Sequence, residues 1–222
     1  MKIFISMCLA GSLASASMLV GFGAEVDYYH PTASGDFNYK TTSTHFNDDS
    51  QSGYQVGLYF EHPVPLIPNI RLDLTPEISF TGSNGGAGTN TVSINQSDIT
   101  PYYEILDNVV DLDVGVSFKV LDVNIEGTGI AAQGLSEVIP MGYVAAGIDI
   151  PGVPLTIAGD VKYVEYRGDS FTDARIKAVL QIVAGLEAQA GYRYESLKIS
   201  DHFDMRTDVE IKGPFIGLGY RF

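Results

Sequence analysis

Read backwards from the C-terminus, every second residue is apolar: Phe222, Tyr220, Leu218 and Ile216, with Arg221, Gly219, Gly217 and Phe215 between them. A period of two marks a strand with one apolar face and one small or polar face. The chain holds ten such segments. In residues 70–80, Ile70, Leu72, Leu74, Pro76, Ile78 and Phe80 oppose Arg71, Asp73, Thr75, Glu77 and Ser79. An amphipathic helix has a period of 3.6 and cannot give that pattern. In residues 110–120, Val110, Leu112, Val114, Val116, Phe118 and Val120 oppose Asp111, Asp113, Gly115, Ser117 and Lys119. Val116 and Ser117 therefore go to opposite faces. Near the end, the apolar phase moves from Val209 and Ile211 to Pro214, Ile216 and Leu218, which predicts a β-bulge at residues 212–214.

The connections alternate as well. Those at residues 63–68, 107–108, 151–154 and 183–185 are short. Those at 30–51, 81–93, 121–136, 166–171 and 199–207 are mostly longer and polar. Short turns on one side and longer loops on the other are the habit of bacterial outer-membrane barrels. No apolar run reaches the length of a transmembrane helix. A membrane-spanning form of this chain must be a closed barrel. Charges at mid-strand suit a polar lumen, and tyrosines near strand ends suit interfacial girdles. The predicted fold is all-β: a transmembrane antiparallel up-and-down β-barrel of ten strands, with eight as the alternative count, in the bacterial outer membrane.

The N-terminus reads as a signal peptide over residues 1–16, with Lys2 ahead of an apolar run and an Ala14-Ser15-Ala16 site. The barrel then covers residues 17–222. The single cysteine, Cys8, falls in the signal segment, so no disulfide is expected in the barrel. The chain carries 13 basic and 27 acidic residues. Nucleic acid is excluded as a partner, because phosphate binding needs a basic face.

Several stretches carry a family likeness: Glu61-His-Pro-Val-Pro-Leu-Ile-Pro-Asn-Ile70, the Tyr143-Val-Ala-Ala146 strand leading to Ile150-Pro-Gly-Val-Pro154, Gly191-Tyr-Arg-Tyr194, and Gly213-Pro-Phe215 with the aromatic ending. In these the chain resembles a group of small bacterial outer-membrane β-barrel proteins of unassigned function. The resemblance covers nearly the whole barrel segment. It implies location and fold and brings no catalytic residue. The ending Leu218, Tyr220 and Phe222 resembles the C-terminal signature that the barrel-insertion machinery reads.

Placing the polar faces inward assembles a lumen charge network: Arg71, Asp73, Glu77, Glu104, Asp111, Asp113, Lys119, Asp160, Lys162, Arg175, Lys177, Glu187, Arg193 and Arg221. Arg71 with Glu104, and Arg221 with Glu187, are expected as adjacent-strand pairs. A ten-stranded barrel is narrow enough for such side chains to fill it. The expected function is a non-enzymatic structural or surface-interaction role. A narrow cation-preferring, porin-like channel is the alternative, and a surface hydrolase is third. The hydrolase reading needs a His–acid or Ser–His pair. Its candidates are His30 with Asp27, His202 with Asp201 and Asp204, and Ser200 with His202. No catalytic, cofactor or resident metal site is assigned. Expected partners are membrane lipid and lipopolysaccharide, the latter bridged by divalent cations at acidic loops. A monomer is expected.

Overall fold

The computed structural model describes residues 20–40, 42–86, 88–127, 131–202 and 205–222. The signal segment expected at residues 1–16 lies outside the described residues. The strands are β1 (Gly21–Tyr29), β2 (Thr32–Tyr39), β3 (Thr42–Ser50), β4 (Gly53–Glu61), β5 (Asn69–Ser83) and β6 (Thr89–Asp107). They continue with β7 (Val110–Gly127), β8 (Gln133–Asp149), β9 (Leu155–Tyr166), β10 (Asp169–Val183), β11 (Leu186–His202) and β12 (Met205–Arg221). Strand β1 pairs with β4, and β4 to β12 follow one another as antiparallel neighbours. Strand β12 then returns to β1, with Val26 opposite Leu218 and Tyr28 opposite Ile216. The result is a closed ten-strand barrel with two extra strands, which settles the count against eight.

The extra strands, β2 and β3, occupy the first of the expected loops, residues 30–51. They form a hairpin that continues the wall beyond the ends of β1 and β4. Both β1 and β2 pair antiparallel with β12, which faces β1 over Phe215–Arg221 and β2 over Met205–Lys212. The breaks are stitched by His30 N–H donating to Pro214 C=O at 3.0 Å and Gln51 N–H donating to Pro31 C=O at 2.8 Å. Residues 121–136, also expected as a loop, mostly extend β7 and β8. The asymmetry seen in the sequence is therefore one of strand length: the barrel projects far at the end opposite to the one where the start of β1 meets the end of β12.

The two halves of the barrel have opposite polarity. In the half near the termini, Val26, Leu74, Val116, Val144, Val161, Ile176 and Leu218 face out and are exposed, while Glu25, Asp73, Lys119, Lys162 and Arg193 are buried inside. In the projecting half, Phe37, Phe80, Val92, Leu121, Phe171 and Val209 are buried in one internal apolar cluster. There Ser43, Asn95, Asn124 and Arg206 are exposed. An apolar exterior over a polar lumen suits hydrocarbon. A polar exterior over an apolar core suits water.

This inversion corrects two readings of the sequence. Strand β12 carries no bulge at residues 212–214: Tyr192, Arg193 and Tyr194 pair continuously with Pro214, Gly213 and Lys212. Val209, Ile211 and Phe215 all point inward, and Ile216 and Leu218 point outward. The phase break is chemical and does not belong to the backbone. Strand β5, read as one unbroken alternation, does shift register between Thr75 and Ile78. Beyond that shift Ile78 and Phe80 turn inward and are buried.

Candidate functional site

Arg193 on β11 reaches across the lumen. Its Nε and Nη2 donate to both oxygens of Asp173 on β10, at 2.9 and 2.7 Å. Its Nη1 donates to Thr75 Oγ1 on β5 at 3.0 Å, and Nη2 also reaches Glu195 at 3.1 Å and Gln96 Oε1 on β6 at 3.2 Å. Such a planar fork satisfies a carboxylate through two parallel bonds, which a lysine cannot do. Lys119 on β7 fills the remaining space. Its ammonium is fully buried and donates to Asp98 at 2.9 Å, Asp173 at 3.0 Å and Gln96 at 3.0 Å.

A second layer lies toward the termini. Lys162 on β9 meets Asp73 on β5 at 2.8 Å. Arg175 on β10 meets Asp160 at 3.0 Å and Asp73 at 3.4 Å. Arg71 pairs with Glu25 and with Asp73. Lys177 crosses from β10 to Glu25 on β1 at 2.6 Å and donates to Gln189 at 2.9 Å. Gln189 in turn donates to Asp27 at 2.6 Å. Gly57 makes room for this layer: a Cβ there would stand 2.6 Å from Glu25 Oε1 and 3.0 Å from Arg71 Nη2. Buried charges survive only when paired in this way. The two layers form a plug across the membrane-spanning half.

Of the residues assigned to the lumen from sequence, Arg71, Asp73, Lys119, Asp160, Lys162, Arg175, Lys177 and Arg193 meet in this plug. Arg221 and Glu187 approach to 3.8 Å at the terminal end, where Arg221 Nε also donates to Tyr59 OH at 3.0 Å. Glu77 is misplaced by the sequence reading: it is exposed, because the register shift in β5 turns it out of the lumen. The expected Arg71–Glu104 pair is not formed. Arg71 turns to Glu25 and Asp73, whereas Glu104 is exposed at the terminal mouth among Glu61, Asp107 and Asp111. Asp113 is half-buried beside the same acids. Asp173, absent from the sequence-derived set, is the acid that Arg193 and Lys119 share. Its parity with Arg175 and Lys177 along β10 was the available signal. Gln96, Thr75 and Gln189 carry no charge, so a search for charged residues passes over them.

Leu218, Tyr220 and Phe222 point outward from β12 and are exposed. The Tyr220 and Phe222 rings lie 4.5 Å apart, and Phe22 of β1 lies 6.0 Å from Phe222. An aromatic cluster at the end of an apolar outer band, over a lumen packed with charge, is a membrane surface.

The chain is an outer-membrane β-barrel.

No family model matches this barrel, and no curated protein matches it. Its fold is similar to that of solved outer-membrane proteins. The outer membrane protease OmpT from Escherichia coli superposes with a TM-score of 0.56 at 8% identity, over 93% of this chain and 98% of that one. The translocator domain of the autotransporter NalP from Neisseria meningitidis gives 0.48 at 14% identity, over 97% and 93%. Neisserial surface protein A gives 0.40 at 11% identity, over 90% and 97%.

Among the described residues, His30 does not pair with its expected partner Asp27. His30 Nδ1 lies 3.1 Å from Ser52 Oγ, while Asp27 is buried in the plug and bonded by Gln189. Ser200 Oγ donates to Gly168 C=O at 3.4 Å. The side chains of Asp201, His202 and Asp204 lie outside the described residues. A pair not expected from sequence, His45 with Asp36 at 2.9 Å, stands exposed on the β2–β3 hairpin.

Proposed function

We propose that this barrel is a non-enzymatic, essentially closed outer-membrane protein with a structural or surface-interaction role. The observation that carries this reading is the plug: Arg193, Lys119, Lys162 and Arg175 reach acids on other strands, and most of these groups are buried. Moving solute past them requires desolvated ion pairs to part, which costs several kcal/mol per uncompensated charge. The projecting half then presents its polar exterior to surface partners. Lipopolysaccharide bridged by divalent cations to acidic side chains such as Asp48 and Asp49 is the partner whose chemistry fits. The barrel acts as a monomer and enters the membrane through the signature Leu218, Tyr220 and Phe222.

Planar-bilayer recording of the purified barrel tests this reading. The expected trace shows little steady current. The acids at the terminal mouth, Glu61, Glu104, Asp107 and Asp113, favour a narrow cation-preferring channel as the second reading. Residual current should then prefer cations. A large, stable, anion-selective conductance would overturn both.

A further inference from the structure

Above the plug, the projecting half holds a cavity of about 40 Å³, measured as the space open to the centre of a water-sized sphere. Its walls include Ala33, Phe37, Phe80, Val92, Leu121 and Phe171, contributed by five different strands. Polar groups enter only at the floor, where Gln96 and Glu195 belong to the plug. On this measure a single water needs roughly 10–15 Å³ and two to four polar partners. The space is large enough for more than one water, but the walls offer water almost nothing. A void of that size and lining suits a small apolar molecule.

The wall has a seam beside this cavity. Strand β4 leaves β5 at Leu74, and β3 meets β5 at the single pair His45–Ser83. Among the described residues, β5 between those points has no ladder partner on that side. A side-chain bond helps to bridge the gap: Thr81 N–H donates to Asp49 Oδ2 at 2.9 Å. On its other edge β2 is firmly held, pairing with β12 from Met205 to Lys212.

The hairpin also closes the top. Asn90 Nδ2 donates to Ser43 C=O at 2.9 Å and to Thr44 Oγ1 at 3.0 Å. Gln133 Nε2 on β8 donates to Thr42 Oγ1 at 3.0 Å. Each of these amides leaves its own oxygen, Asn90 Oδ1 and Gln133 Oε1, buried without a hydrogen-bond partner among the described residues. Opening would let water reach those oxygens, which offsets part of the cost of breaking the closing bonds. The closure is thus made of few bonds, half-satisfied, over an apolar void.

We propose that the projecting half is a binding chamber for a small uncharged apolar molecule, of the size of a xenon atom or the methyl end of an alkyl chain, admitted by parting β3 from β5. The chamber is separate from the plug and stands whether or not the plug conducts.

Xenon is the probe, followed by xenon-129 NMR on the barrel folded in nanodiscs. Folding is verified by the heat-sensitive gel mobility of closed barrels. The wild type should give a saturable protein-dependent shift. Val92→Phe, which fills the chamber, should lose it. Ala33→Leu does the same with a smaller side chain, should Val92→Phe fail to fold. A shift equally large in the wild type and in the folded filled variants places xenon in the lipid and overturns the proposal, as does no shift in the wild type. The route is tested with His45→Cys and Ser83→Cys together. Directly paired residues of antiparallel strands are within disulfide reach. Xenon exchange should slow on oxidation and recover on reduction. Exchange unchanged by the bridge overturns entry through the seam.

Discussion

Lys119 and Leu121, two residues apart on β7, point into the same lumen and meet opposite surroundings. Lys119 is fully buried between Asp98 and Asp173, at 2.9 and 3.0 Å. Leu121 is buried in the apolar cluster with Phe80, Val92 and Phe171. One pleat separates the plug from the chamber. Phe171, whose ring lies 5.6 Å from the Lys119 ammonium, and Tyr29, whose ring lies 5.9 Å from the Arg193 guanidinium, form the boundary between them.

The outward band should reject charge, and the projecting exterior should accept it. Val116 is 45% exposed on the lipid side. Val116→Arg should cost about 2–4 kcal/mol in folding titrations with lipid vesicles. Asn124→Arg, on the exposed polar exterior of the same strand, should stay within about 0.5 kcal/mol. From sequence alone, Ser117→Arg would be the mild control, since Ser117 faces the lumen. The structure removes that expectation: Ser117 is completely buried, accepting from Thr100 at 2.8 Å and donating to Asp98 at 3.3 Å. Equal costs for Val116→Arg and Asn124→Arg would refute the position of the band.

Lys119→Met should destabilise the barrel by about 3 kcal/mol, the lower end of the range for breaking a buried ion pair. Asp173 keeps Arg193 at 2.7 Å and Asp98 keeps Lys162 at 3.4 Å, which limits the loss. Combining it with Asp173→Asn should cost less than the sum of the two single changes. A double-mutant cycle in urea with vesicles measures this, and strict additivity would place the two groups outside one network.

Arg175→Ala with Arg193→Ala should turn a quiet barrel into a conducting one. These two side chains reach Asp73 and Thr75 on β5 from β10 and β11. Their loss leaves Asp73, Asp160, Asp173 and Glu195 facing the opened space, so the new current should select cations. An unchanged, silent trace from the folded double variant would show that other groups hold the seal.

Closure of the barrel should hinge on small residues in β12. A Cβ at Gly217 would overlap both the Asp27 side chain and the Val26 carbonyl on β1. Gly217→Val should therefore separate β1 from β12 and abolish the heat-sensitive gel mobility of the closed form. Gly219→Ala is the control, because a Cβ there meets Glu187 Oε2 at 3.5 Å, an ordinary contact.

What the sequence determines by itself is whatever repeats locally. Side-chain direction alternates with every residue of a strand, so Ile70, Leu72 and Leu74 against Arg71 and Asp73 announce a two-faced strand without any partner in view. The ten strands and the residues that share each face of a strand follow from that. Tertiary structure decides the rest, because period-two alternation is silent about which face is inside. In the projecting half the exterior is wet, so its strands carry residues such as Ser43 and Asn124 and read as loops. In β12 the change of solvent from water to hydrocarbon looks like a bulge, while the bulge in β5 hides inside an unbroken alternation. Partners across the lumen are equally hidden. Lys177 meets Glu25 from 152 positions away because β12 closes onto β1, and only a closed wall sets which charges share the space it encloses.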